Sequence, residues 1–152
     1  LDPFVSDAIK WWNTQIGSEI LIDADDATLP TSNEIVSFIA IRIAPPELLK
    51  TWKPATGAIA HRFYGGIYPN RCVRGTAIWI KDSKSRSEKI LYLIILHELG
   101  HALGFGHSNI PNTVMYHEIS ASTLPRLGKD TLLDIKRGIS FGIWNKNRRL
   151  DR

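Results

Sequence analysis

The feature that most constrains this chain is the run His97-Glu98-Leu99-Gly100-His101-Ala102-Leu103-Gly104-Phe105-Gly106-His107, which carries three imidazoles and one carboxylate. Residues four apart on an α-helix share a face, so His97 and His101 can aim ring nitrogens at one point. Imidazole suits a zinc ion, which it binds at about 2.0–2.1 Å. Glu98 sits about 100° round the helix from His97, which turns its carboxylate off the ligand face but within reach of a water held there. His107 stands too far along to share that straight helix. The chain must turn back, and Gly104 is where a left-handed residue costs least. Three neutral protein ligands leave a fourth place open, the mark of a catalytic rather than a structural zinc site. Amide hydrolysis by an activated water, with Glu98 carrying its proton to the leaving amine, is the chemistry this set predicts.

The motif His-Glu-x-x-His-x-x-Gly-x-x-His, continued by Ser108, Pro111 and Met115, resembles that of the metzincin metallopeptidases and, among them, the matrixin (matrix-metalloproteinase-like) catalytic domain. The resemblance implies an α+β metzincin-type zincin fold. Its upper subdomain would hold a twisted mixed five-stranded sheet with an antiparallel edge strand, a backing helix and the active-site helix. A small lower subdomain would hold the Met-turn, with Met115 beneath the metal, and a C-terminal helix. Ile59-Ala60-His61-Arg62-Phe63 resembles the edge strand that pairs with extended substrate, and Gly75-Thr76-Ala77-Ile78-Trp79 the strand that follows it.

Three departures qualify the resemblance. No histidine precedes His61, and Ile78 stands where the last ligand of the family's second, structural zinc would be. One catalytic zinc and no structural zinc are therefore expected, with His61 a partly buried strand residue. Asp23, Asp25 and Asp26 lack the glycine and distal Glu of a calcium loop and read as a solvated turn, which leaves calcium undecided. Met115-Tyr116-His117 replaces the family's Met-x-Pro. In the astacin and serralysin branches that place holds a tyrosine able to approach the metal, so His117 is a candidate stabiliser of the tetrahedral intermediate, with an exposed turn histidine as the alternative.

The chain has 152 residues, 43% hydrophobic and 22% charged, enough for one domain over 1–152 with an upper part to about 104 and a lower part from about 105. No apolar run is long enough to span a membrane, and no signal segment opens the chain, which begins at Leu1. A processed catalytic domain, secreted or at the cell surface, is the expectation, with any propeptide or inhibitor outside this sequence. Cys72, alone, cannot form an internal disulfide; it falls between two strand candidates and reads as a buried or half-exposed thiol. The net charge of +4 is mild, and Trp144 with Lys146, Arg148 and Arg149 matches no nucleic-acid motif, so no nucleic-acid partner is expected.

Helical spacing of Phe4, Ala8, Trp11 and Trp12 after Asp2-Pro3 predicts a first helix to about Gln15. Glu19–Ile22 and Ile35–Ile43 read as strands, the second apolar enough to be buried and ended by Pro45-Pro46. Ser85 and Glu88 form a capping-box pattern before the apolar run Ile90–Leu96, which continuity with His97 makes helical. A final helix is expected around Leu127 to Ile139, where either Asp130 or Asp134 matches the family's helix aspartate. The reading is a zinc-dependent endopeptidase acting on protein or peptide substrates. Its alternative is a catalytically silent zinc-binding module that holds a peptide or partner protein.

Overall fold

The computed structural model of the chain describes residues 2–21, 38–53, 56–65, 72–81 and 86–140. The expected turn at Asp23, Asp25 and Asp26, the start of the second strand at 35–37, Arg71, Ser85 and the basic end with Trp144 lie outside the described residues. So do the side chains of Arg62, Phe63 and Cys72.

Helix α1 (Asp2–Ile16) buries Ala8, Trp12 and Ile16, spaced at four residues so that one stripe faces the core. Gly17, at φ 74, ends it in the left-handed conformation a glycine adopts without strain. The strand expected at Glu19–Ile22 is not formed over Glu19–Leu21. There the Asn13 side chain takes the backbone groups a sheet would use: its Oδ1 accepts from the amides of Ile20 and Leu21, both at 3.0 Å, and its Nδ2 donates to the Leu21 carbonyl at 2.8 Å.

Strand β1 (Phe38–Ile43) is followed by the short helix α2 (Pro46–Leu49), with Pro at its start where the missing N–H costs nothing. Strands β2 (Ala58–Gly65) and β3 (Cys72–Ile80) complete a mixed sheet in the order β1-β3-β2. Three strands are present among the described residues. β1 runs parallel to β3, with Ala40 opposite Ala77, and β2 runs antiparallel to it, with Ala60 opposite Ile78. Central β3 is buried along Gly75–Ile78 and at Ile80, as expected of a strand paired on both edges. β1 is less buried than its apolar sequence implied: Ile39 and Ile41 are half-buried and Ile43 is exposed. Cys72, expected between strands, opens β3 opposite Gly65. His61 is exposed, not partly buried. Alternation explains this: Ala58 and Ala60 pack against the core and turn the residue between and the residue after to other environments.

Helix α3 (Glu88–Leu103) packs against α1, β2 and β3, and every residue from Leu93 to Gly100 is buried. A helix apolar all round belongs in an interior. Its N-cap is Ser87, whose Oγ accepts from the Ile90 amide at 3.4 Å, so the capping pattern starting at Ser85 is not the one used; Glu88 instead lies in the first turn, where its charge complements the helix dipole. The final helix α4 (Lys129–Ser140) buries Thr131, Ile135 and Gly138 and exposes Leu132 and Leu133.

Candidate metal centre

Gly104 closes α3 with φ 106, and its amide reaches back to the carbonyls of Gly100 and His101. This left-handed cap lets the chain reverse within three residues and present His107 to the two histidines of the helix. The Nε2 atoms of His97 and His101 are 3.0 Å apart and those of His101 and His107 3.2 Å apart. Three nitrogens bound to one tetrahedral zinc at about 2.0–2.1 Å would stand about 3.3 Å apart.

The outward nitrogens decide how these contacts should be read. His97 Nδ1 donates to the Val114 carbonyl at 2.7 Å, and His101 Nδ1 donates to the Phe105 carbonyl at 2.9 Å. A carbonyl only accepts, so each Nδ1 carries a proton, and in the neutral form of either ring the lone pair is on the facing Nε2. Two lone pairs at 3.0 Å repel each other unless a cation lies between them. The donor set therefore fits a metal ion, and zinc in particular, on its own chemistry. Burial pushes His97 down to about 4, which keeps its ring neutral and its lone pair available. His107 is also held below its ordinary value, first by burial and then by the charges of His101 and His117.

Glu98 is 6% exposed, nearly as buried as its aliphatic neighbours, and burial pushes its carboxyl up to about 7. A carboxyl poised near neutrality is matched to accepting and returning a proton. Met115 is fully buried below the helix. Its carbonyl accepts from the Ser108 amide at 2.7 Å, and Val114 beside it supplies the carbonyl that orients His97.

The family model described as Matrixin matches residues 13–137. This chain belongs to the matrixin family. Among curated proteins it is similar to matrix metalloproteinase-25 of Homo sapiens, 37% identical over 62 residues that make up 39% of this chain and 11% of that protein. It is also similar to the macrophage metalloelastases of Rattus norvegicus and Oryctolagus cuniculus, 39% and 42% identical over 62 residues, 40% of this chain and 13% of each relative. The matched stretch thus spans little more than a tenth of these relatives' length. No solved structure matches.

Other residues shape the matrixin site without standing in its motif. A Cβ at Gly100 would collide with the Met115 side chain and would stand 2.8 Å from Trp12 Cζ2, so the glycine lets both side chains press on the helix backbone. Trp12 also donates its indole N–H to the Leu96 carbonyl at 2.9 Å and stacks on Phe105 at 5.3 Å. Asp130 accepts from Ser108 Oγ at 2.7 Å and from the amides of Asn109 and Thr131 at 2.9 and 2.8 Å, tying the chain just after His107 to α4. Partial burial pushes this carboxyl up, but these hydrogen bonds outweigh it and hold the group below its ordinary value. Asp134 is exposed and pairs with Arg137, so Asp130 is the helix aspartate that meets the site. Gly128 has no room for a side chain against Asp130 and Ser108. Sequence reading placed Trp12 on the first helix but not against the site, and it missed Gly100 and Gly128; only the motif's unassigned middle glycine offered a signal.

Proposed function

We propose that this matrixin is a zinc-dependent endopeptidase in which His97, His101 and His107 hold the ion and Glu98 is the general base and acid. The observation that carries the reading is the convergence of three Nε2 atoms, two of them on rings whose Nδ1 protons are committed to carbonyls. A bound zinc ion would supply Lewis acidity toward the scissile carbonyl and a lowered pKa for the attacking water. Glu98 accepts that water's proton as the new C–O bond forms and delivers it to the amide nitrogen as the C–N bond breaks. Burial keeps bulk water from competing for that proton.

Extended substrate adds to the sheet along β2, at Ile59, Ala60, His61, Arg62 and Phe63, because β2 has β3 on one side only among the described residues. Substrate laid along that edge and past the metal, as the family resemblance implies, would extend on both sides of the scissile bond, which favours endopeptidase over exopeptidase action. The whole of 1–152 acts as one catalytic domain with its division near Gly104, and the sheet gains further strands to reach five. Met115 serves as the floor beneath the metal, and a structural zinc has no place because His61 is a single imidazole. No helix among the described residues is long and apolar enough to cross a membrane, in keeping with a secreted or cell-surface domain.

The test is cleavage of a denatured protein followed by mass spectrometry. Chelator-sensitive cleavage that disappears in Glu98→Ala, while the variant still retains zinc, is the expected result. Retention of zinc by the wild-type chain with no cleavage of any peptide in a diverse library would instead make it a silent binding module.

A further inference from the structure

The three imidazoles of the centre are not equally supported. His97 and His101 each commit Nδ1 to a backbone carbonyl, at 2.7 and 2.9 Å. His107 turns Nε2 toward His101 and is exposed, and among the described residues no carbonyl takes its Nδ1. A metal-binding histidine almost always gives its second N–H to a fixed partner, which sets the tautomer and the ring angle.

The ring that stands beside His107 is His117, with centroids 6.4 Å apart and planes at 70°. This neighbourhood is built by the backbone. The Ser108 amide donates to the Met115 carbonyl at 2.7 Å, and Ser108 and Tyr116 form a parallel bridge, which holds the segments carrying residues 107 and 117 side by side. The Tyr116 ring lies 4.2 Å from the His117 ring, tilted at 50° to it. Ring nitrogens lie about 1 Å out from each centroid, so no pair can come closer than about 4 Å, which is too far for a direct hydrogen bond and leaves room for one intervening water.

We propose that His117 is the positioning residue for His107, taking the Nδ1 proton of the third metal-binding histidine through one bridging water and so fixing that ring for the ion. The role rests on the zinc site argued above, but it needs no substrate. It also gives the histidine that replaces the family's proline a task on the protein side of the metal, distinct from contact with a reaction intermediate.

The full chain is compared with His117→Ala and His117→Gln, the second keeping a side-chain acceptor. Zinc affinity is read by competition with a chromogenic chelator, and the His107 ring by nitrogen-15 NMR of the zinc-loaded protein. The expected result is affinity about 10-fold weaker in His117→Ala, recovered in large part by His117→Gln, with faster solvent exchange of the His107 Nδ1 proton in the alanine variant. Matching melting temperatures of the three chelated proteins, expected at an exposed position, show that the fold is not the cause. Unchanged zinc affinity in His117→Ala overturns the proposal. So does a fall in kcat with affinity and His107 signals intact, which would place His117 against substrate. Because affinity is read without substrate, absence of cleavage bears on the peptidase reading alone.

Discussion

Replacing Glu98 by Gln in the chelated protein should stabilise the fold at alkaline pH and leave it nearly unchanged at acid pH. Burial raises this carboxyl from an ordinary 4.5 to about 7. A group whose folded pKa is raised contributes its stability fully below the unfolded value and loses it as pH rises through the folded one. The wild-type chain therefore weakens between about pH 4.5 and 7 on account of Glu98 and carries the full penalty above 7. At about 1.4 kcal/mol per decade of proton affinity, that penalty is on the order of 3 kcal/mol. Glutamine has nearly the same shape and cannot ionise, so it escapes the penalty. His97 moves the other way: burial lowers it from 6.5 to about 4, so its contribution is present above 6.5 and lost as pH falls through 4. Between about 4.5 and 6.5 the two dependences cancel in the wild type, whereas Glu98→Gln exposes that of His97 alone. Urea titrations in chelator at pH 4.5, 6.5 and 8 would measure this. With a slope of about 2 kcal/mol per molar urea for a domain of this size, the midpoint at pH 8 should rise by about 1–1.5 M. A difference between variant and wild type that does not change with pH would refute the reasoning.

Two further substitutions probe the supports of the centre. Gly100→Ala should lower the melting temperature of the chelated protein by several degrees, because overpacking against Met115 and Trp12 costs about 1–3 kcal/mol while the helix regains at most about 1 kcal/mol from losing a glycine; a rise in melting temperature would show that Met115 yields freely. Asp130→Asn should destabilise by about 1 kcal/mol at pH 7 through weakened hydrogen bonds from Ser108 and Asn109. Since the folded carboxyl is depressed, its contribution is present above the ordinary carboxylate range and lost as pH falls through its folded value, so the difference seen in thermal melts should shrink toward zero in strong acid.

What could be read in the sequence was what depends on local spacing. The four-residue separation of His97 and His101 and the glycine able to reverse the chain at 104 needed only helix geometry, and the structure brings the three imidazoles together along those lines. The apolar run before them could be placed on a helix because it leads into that motif. Where two local signals compete, the sequence alone was a poor guide: Asn13 outbids the sheet for the amides of Ile20 and Leu21, and Ser87 rather than Ser85 caps α3. Where the reason is tertiary it was not legible at all. Nothing near Gly100 in the chain says that Trp12 and Met115 press on it, and Asp130 is told from Asp134 only by the arrival of Ser108 and Asn109.

The burial of the site follows from that same tertiary logic. Along the three histidines exposure rises from buried His97 through half-buried His101 to exposed His107, while Glu98 lies on the buried side. His97 is held by a helix buried on all sides from Leu93 to Gly100 and by a carbonyl from the segment carrying Met115, so it cannot move unless the core does. The last is delivered by a turn after the helix cap, and the chain beyond it is kept in place by Ser108, with the Met115 carbonyl on one side and Asp130 on the other. Among the described residues the centre is therefore most open to solvent at His107 and least so at His97 and Glu98. A buried imidazole and carboxyl on the core side and an exposed imidazole at the opening would suit the open coordination site proposed above, in which an ion stays anchored while its remaining place exchanges. The Trp12 and Gly100 contacts serve the site in this sense: they immobilise its buried half.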